Sequence, residues 1–191
     1  MKSVFLSAFI CVQNENYYTM NIILIGFRGT GKSTVGKLLA NRLKRVFIDS
    51  DEYIESSTEK TIKHIFEEGG EEGFRKIEAN AIAKLSKMDN KIIAAGGGVI
   101  LKNDNVENLK SNGFLILLEA TPEIIHNRIT QDEKTTQQRP SLTNRKPFEE
   151  IKHLIVKRQK LYENAADYTI NTSYVSCEDI VNEIITIIDK Q

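Results

Sequence analysis

The sequence predicts an α/β fold in which a five-stranded parallel sheet is flanked by helices, and two observations lead there. After Met20, short apolar runs alternate with longer stretches of helical periodicity, which is the pattern of successive βαβ units. The first of these runs passes through a glycine-rich turn straight into a helix-period segment, an order that aims backbone N–H groups at an anion. The 191 residues, 40% of them hydrophobic, can bury a core without disulfides or metals. No internal repeat or linker divides them, so one domain over residues 20–191 is expected.

Residues 22–25 form the first buried strand. Val35, Leu38, Leu39 and Leu43 recur at helical spacing and set a helix directly behind the turn at residues 26–31. A second strand, residues 46–49, follows at once. Residues 50–90 read as mostly helical, with Ile62, Ile65 and Phe66 in one apolar stripe and Phe74, Ile77, Ala81, Leu85 and Met88 in another, separated by Gly69-Gly70. Residues 92–95 make a third strand that runs into Gly96-Gly97-Gly98. The fourth, residues 114–118, leads to Thr121 as N-cap and Pro122 at the first helical position.

Residues 131–146 carry almost no apolar side chains, the composition of a functional loop between two helices. Pro147 opens a long helix bearing Ile151, Leu154, Ile155, Leu161 and Tyr162. Residues 168–170 make the fifth strand, and a last helix starting near Ser176 has Ile180, Ile184 and Ile188 on one face.

Charge and cysteine content restrict the partners. The 26 Lys+Arg and 26 Asp+Glu cancel, so no global field draws nucleic acid or an anionic membrane, and any phosphate affinity must be local. Cys11 and Cys177 form neither a metal spacing nor a disulfide framework, which fits a reducing, cytoplasmic compartment. Lys2 and the apolar run at residues 4–12 have the outline of a secretory leader. However, Gln13, Asn14, Glu15 and Asn16 stand where small cleavage-site residues belong, and the run is too short to cross a bilayer. Residues 1–19 are therefore read as an extension outside the fold.

Gly26-Phe27-Arg28-Gly29-Thr30-Gly31-Lys32-Ser33 matches G-x-x-x-x-G-K-[ST] between a buried strand and a helix, the context this phosphate loop requires. Glycines allow the backbone to wrap so that successive N–H groups converge on one anion, and the helix N-terminus adds positive potential. Gly29, Thr30, Gly31, Lys32, Ser33 and Thr34 are thus candidates to hold the phosphates of ATP. Lys32 is placed to reach the β- and γ-phosphates, and the Ser33 hydroxyl to ligate one Mg²⁺. The third strand ends in glycine, not in an acid. Asp49, at the carboxyl end of the second strand, is therefore the best candidate for the metal's acidic partner, with helix capping as the alternative.

The chain has 18 Lys and only 8 Arg, so arginine marks positions where a planar, two-pronged donor is useful. Arg28 sits in the loop. Arg75, Arg128, Arg139, Arg145 and Arg158 fall in the inserted helices, the polar loop and the helix behind it. Glu78, three residues after Arg75, shares its helix face and can hold the guanidinium in place. His64, His126 and His153 have no partner at ligand spacing.

Asp49-Ser50-Asp51, Phe74-Arg75-Lys76-Ile77-Glu78, Gly96-Gly97-Gly98, Arg139-Pro140-Ser141-Leu142 and Arg158 follow the phosphate loop in that order, and from Met20 onward the chain resembles the shikimate kinase family. The resemblance implies a P-loop kinase fold of the nucleoside-monophosphate-kinase type, with a helical substrate-binding subdomain at about residues 50–90 and a lid at about 131–146. It assigns Arg75 and Arg158 to the shikimate carboxylate, Asp51 to its ring hydroxyls, the Gly97 backbone to the same ring and Arg139 to ATP and the transferring phosphate. It sets residues 171–173 beside the adenine. Because the stretch from Arg128 to Arg139 is longer than usual in this family, Arg128 is left without an assigned contact there.

The expected reaction is phosphorylation of shikimate to shikimate 3-phosphate, with Lys32, Asp51 and Arg139 as catalytic residues, in a cytoplasmic monomer. A gluconate-type kinase on the same scaffold is one alternative. A nucleotide-dependent switch is another, although the chain has no guanine-reading N-K-x-D string.

Overall fold

The computed structural model of the chain describes residues 19–131 and 146–190. Its centre is a five-stranded, all-parallel sheet with strand order β2-β3-β1-β4-β5. In chain order the elements are β1 (Asn21–Ile25), α1 (Lys32–Leu43), β2 (Val46–Asp49), α2 (Ser50–Thr58), α3 (Ile62–Leu85), β3 (Lys91–Ala94) and a 3-10 turn (Val99–Leu101). They continue with α4 (Asn103–Lys110), β4 (Gly113–Glu119), α5 (Pro122–Gln131), α6 (Pro147–Ala165), β5 (Tyr168–Asn171) and α7 (Cys177–Ile188).

Side-chain alternation along the strands divides the core into two layers. Ile22, Leu24, Ile116 and Leu118 pack with Val35 and Leu39 of α1 and with Ile180, Val181 and Ile184 of α7. Ile23, Ile25, Leu115 and Leu117 point to the opposite face, against Ile82 and Leu85 of α3, Leu109 of α4 and Tyr162 of α6. With both faces covered, the central strands read as unbroken apolar runs. Two smaller clusters lie toward the carboxyl edge of the sheet. Ile54, Ile62, Ile65, Phe74 and Ala81 join α2 to α3, and Phe27, Ile125, Ile151 and Leu154 join the loop after β1 to α5 and α6.

Helix α3 is broken where the Gly69-Gly70 pair predicts it, with Gly70 at φ 60° and ψ −165°. Thr121 Oγ1 accepts from the Ile124 N–H at 3.4 Å, and Ser176 caps α7 through the Asp179 N–H. Four strands extend one residue past their apolar runs, to Asn21, Lys91, Glu119 and Asn171. The ladder continues through these polar residues by backbone pairing, and the Asn21 side chain adds to it, its Oδ1 accepting from the Lys91 N–H at 2.9 Å. Helix α4 was not foreseen, because Asn-Asp-Asn-Val-Glu-Asn-Leu-Lys offers only two apolar positions to signal it. At the amino end, the Thr19 carbonyl accepts from the Asn90 N–H at 2.6 Å.

Candidate functional site

The loop after β1 must turn sharply beside β4. Gly26 adopts φ 141°, and a Cβ there would strike the Leu118 carbonyl oxygen, so both conformation and space call for glycine. Buried Thr30 ties the turn together by donating its hydroxyl to Phe27 O at 2.8 Å. Gly31 caps α1, its carbonyl accepting from the Val35 N–H at 2.9 Å. The Lys32 ammonium lies across the mouth of the loop and donates to Gly26 O at 2.8 Å and Phe27 O at 2.9 Å.

Asp49 ends β2 and is shared between two elements. Its Oδ2 accepts from Ser33 Oγ at 2.7 Å, and its Oδ1 accepts from the Asp51 N–H at 3.0 Å to cap α2. The two metal candidates are therefore in contact, and the capping alternative also holds. Asp51, on the first turn of α2, lines the same cavity of about 810 Å³ as Lys32, Ser33, Asp49 and Gly97. Its carboxylate rests on Gly96, where an added Cβ would come within 2.8 Å of Oδ1, and the buried Ser50 hydroxyl fixes this glycine by accepting from the Gly96 N–H at 2.8 Å.

The remaining glycines, Gly97 and Gly98, are each in contact with an arginine. Arg75 presses its guanidinium against Gly98, where a Cβ would sit 2.6 Å from the arginine Cζ. Arg75 Nη1 donates to Glu78 Oε2 at 2.7 Å, and Nη2 to Glu71 Oε1 at 3.3 Å. Arg158, from α6, donates to Gly97 O at 3.2 Å, and the Tyr162 hydroxyl donates to the same oxygen at 2.6 Å. The Phe27 ring is close to two cations, with Arg158 Cζ at 6.0 Å and Arg28 Cζ at 5.9 Å from its centroid. Arg75 and Arg158 thus contact Gly98 and Gly97, and Gly97 lines the cavity together with Asp51 and Lys32.

Arg128, left without a contact by sequence reasoning, closes the other end. It donates to Gly29 O at 3.4 Å, Thr172 Oγ1 at 3.1 Å and Thr172 O at 2.7 Å, and Thr172 Oγ1 donates to Thr30 O at 3.0 Å. Glu150 was also missed. It is buried on α6 with an oxygen 4.0 Å from Arg28 Nη2, and nothing in its local sequence separates it from a surface helix acid. Arg139, Arg145 and residues 132–145 as a whole lie outside the described residues.

In chemical terms, one crevice at the carboxyl edge of the sheet combines a loop shaped for phosphate with a carboxylate and with glycines next to which two guanidinium groups stand. Known proteins are similar to this chain in sequence and fold. The family model described as shikimate kinase matches residues 28–189. A shikimate kinase from Caldanaerobacter subterraneus subsp. tengcongensis is 43% identical over 86% of this chain and 94% of its own length. Among solved structures, a shikimate kinase from Acinetobacter baumannii in complex with shikimate superposes with a TM-score of 0.83 at 36% identity, covering 90% of this chain and 93% of that one. A gluconokinase from Sinorhizobium meliloti, at 13% identity and a TM-score of 0.54 over 91% of this chain and 93% of its own, shares the fold alone. Because the match spans nearly every element that builds the crevice, the chain belongs to the shikimate kinase family.

Proposed function

We propose that the protein transfers the γ-phosphoryl group of ATP to a ring hydroxyl of shikimate, giving ADP and shikimate 3-phosphate. The observation that carries this reading is the shared cavity of Lys32 and Asp51, walled by the glycine whose carbonyl Arg158 holds. ATP sits with its phosphates on the N–H groups of Gly29, Thr30, Gly31, Lys32, Ser33 and Thr34 at the amino end of α1. Lys32 exchanges its two loop carbonyls for β- and γ-phosphate oxygens.

On the acceptor side, Arg75 and Arg158 take the shikimate carboxylate through charge-assisted hydrogen bonds, which fixes the ring over Gly97. Asp51 accepts the proton as the hydroxyl oxygen bonds to the γ-phosphorus and the bond to the β–γ bridging oxygen breaks. Holding the two reactants in line is worth about 7 kcal/mol or more of the barrier. Glu78 keeps Arg75 aimed, because its buried carboxylate leaves Nη1 one direction to point. Arg139 is the lid arginine of this reading, closing on the transferring phosphate so that water is kept out.

Ser33 Oγ and Asp49 Oδ2, 2.7 Å apart at the cavity, are hard oxygen donors that suit Mg²⁺. When bound, the ion neutralises charge on the phosphates during transfer. The working unit is a monomer in the cytoplasm, a reading supported by the low cysteine content and by a cavity built within one chain. No described helix is long and apolar enough to cross a membrane.

A coupled assay of ADP release tests the proposal. ADP formation that requires shikimate, with gluconate inert, is expected. Stimulation by gluconate alone, or slow hydrolysis indifferent to any acceptor, would overturn it.

A further inference from the structure

Arg75 is gripped by two carboxylates of different character. Glu78 is inside the protein, its side chain 2% exposed, and meets Nη1 at 2.7 Å. Glu71 is at the surface, its side chain 57% exposed, and meets Nη2 at 3.3 Å through a single oxygen. On the edge of the guanidinium that carries Nη2, the buried Nε–H has no acceptor among the described residues. The guanidinium itself cannot retreat, because its Nη1 and Nη2 lie against Gly98 and its Cζ is 5.2 Å from the Phe74 ring centroid.

We propose that Glu71 is a built-in stand-in for the carboxylate of the acceptor, occupying the free edge of Arg75 until the acceptor displaces it. This inference rests on the reading of Arg75 as the acceptor's carboxylate receptor. An incoming carboxylate has two oxygens on one carbon and can take Nη2–H and the orphaned Nε–H together. That fork is stronger than the single contact Glu71 makes. Glu71 is also free to leave. It directly follows Gly70, where the helix is broken at φ 60° and ψ −165°, and positions 69, 70 and 73 have nothing packed against them. Glu71 therefore acts through Arg75 as a positioning residue. It keeps the guanidinium aimed and charge-balanced, and it sets a threshold that only an acceptor with a well-placed carboxylate passes.

The test is steady-state kinetics of the full chain. Glu71→Gln removes the rival charge and keeps the shape. It should lower KM for shikimate about two- to fivefold, the range of an exposed ion pair, with KM for ATP unmoved and the effect on KM rather than kcat. Glu71→Ala should shift KM the same way.

Glu72→Gln is the control for a general field effect, since Glu72 is the adjacent acid but pairs with Lys76 at 2.9 Å. It should leave KM unchanged. With the uncharged methyl ester of shikimate as acceptor, the advantage of Glu71→Gln should vanish. An unchanged or raised KM in Glu71→Gln, an equal gain in Glu72→Gln, or a gain that persists with the ester would overturn the inference. A wild-type enzyme that does not phosphorylate shikimate would instead overturn the functional reading beneath it.

Discussion

Lys32 and Arg158 are held in opposite ways, and the difference predicts different kinetic defects. The Lys32 ammonium is bonded to two carbonyls of its own loop, contacts that an anionic phosphate readily replaces because it offers full charge where they offer dipoles. Lys32→Ala should therefore lower turnover by about 10²- to 10³-fold, the scale of losing one preorganised charge at a transferring group. An ADP-release assay showing near-normal turnover would contradict that role. Arg158 is fixed by Gly97 O and lies near the Phe27 ring. Arg158→Ala should raise KM for shikimate well above any rise in KM for ATP, whereas equal rises would mean the arginine does not read the carboxylate.

At the scale of elements, the strand ends hold the phosphate loop in place. Thr172, directly after β5, meets the loop at Thr30 O, the end of β4 at Glu119 O and Arg128 of α5, so three other segments converge on one hydroxyl. Thr172→Val leaves those groups without their buried partner. It should cost about 1–3 kcal/mol in denaturant unfolding and raise KM for ATP more than for shikimate. A variant of wild-type stability and affinity would show the junction to be idle.

The same scale separates what could be read in the sequence from what could not. The strands were legible because burial on both faces forces continuous apolar runs, and the loop from Gly26 to Ser33 because its glycines and lysine have a spacing tied to a mechanism. Asp51, Arg75, Gly97 and Arg158 were legible only through family resemblance. Their neighbours in the chain resemble ordinary helix and turn sequence, and they converge only when α2, α3, the turn after β3 and α6 assemble. The partners of Arg128 and the buried pairing of Glu150 are contacts between distant segments, 44 and 122 residues apart in the chain, that no local pattern encodes.

For the whole molecule, a formal net charge of zero means that anion binding must come from the crevice and that stability responds to a few misplaced charges rather than to overall repulsion. Glu119, at the carboxyl end of β4, is such a charge. Burial, reinforced by Glu163, raises its pKa above the usual carboxylate value. A folded-state pKa raised above the unfolded value means that ionised Glu119 opposes folding at neutral pH. This penalty fades as pH falls through the folded pKa toward the ordinary carboxylate range. Glu119→Gln should therefore raise Tm at pH 7 to 8 and lose that advantage near pH 4. An advantage that is constant with pH would assign the effect to packing.

The whole account depends on a phosphate donor and a carboxylate-bearing acceptor meeting in one crevice. Phosphorus NMR of a reaction containing the protein, ATP, Mg²⁺ and shikimate follows the transferred group itself. The account predicts a phosphomonoester resonance on shikimate growing in step with ADP, with little inorganic phosphate. ADP accompanied by inorganic phosphate alone, at a rate indifferent to shikimate, would contradict it.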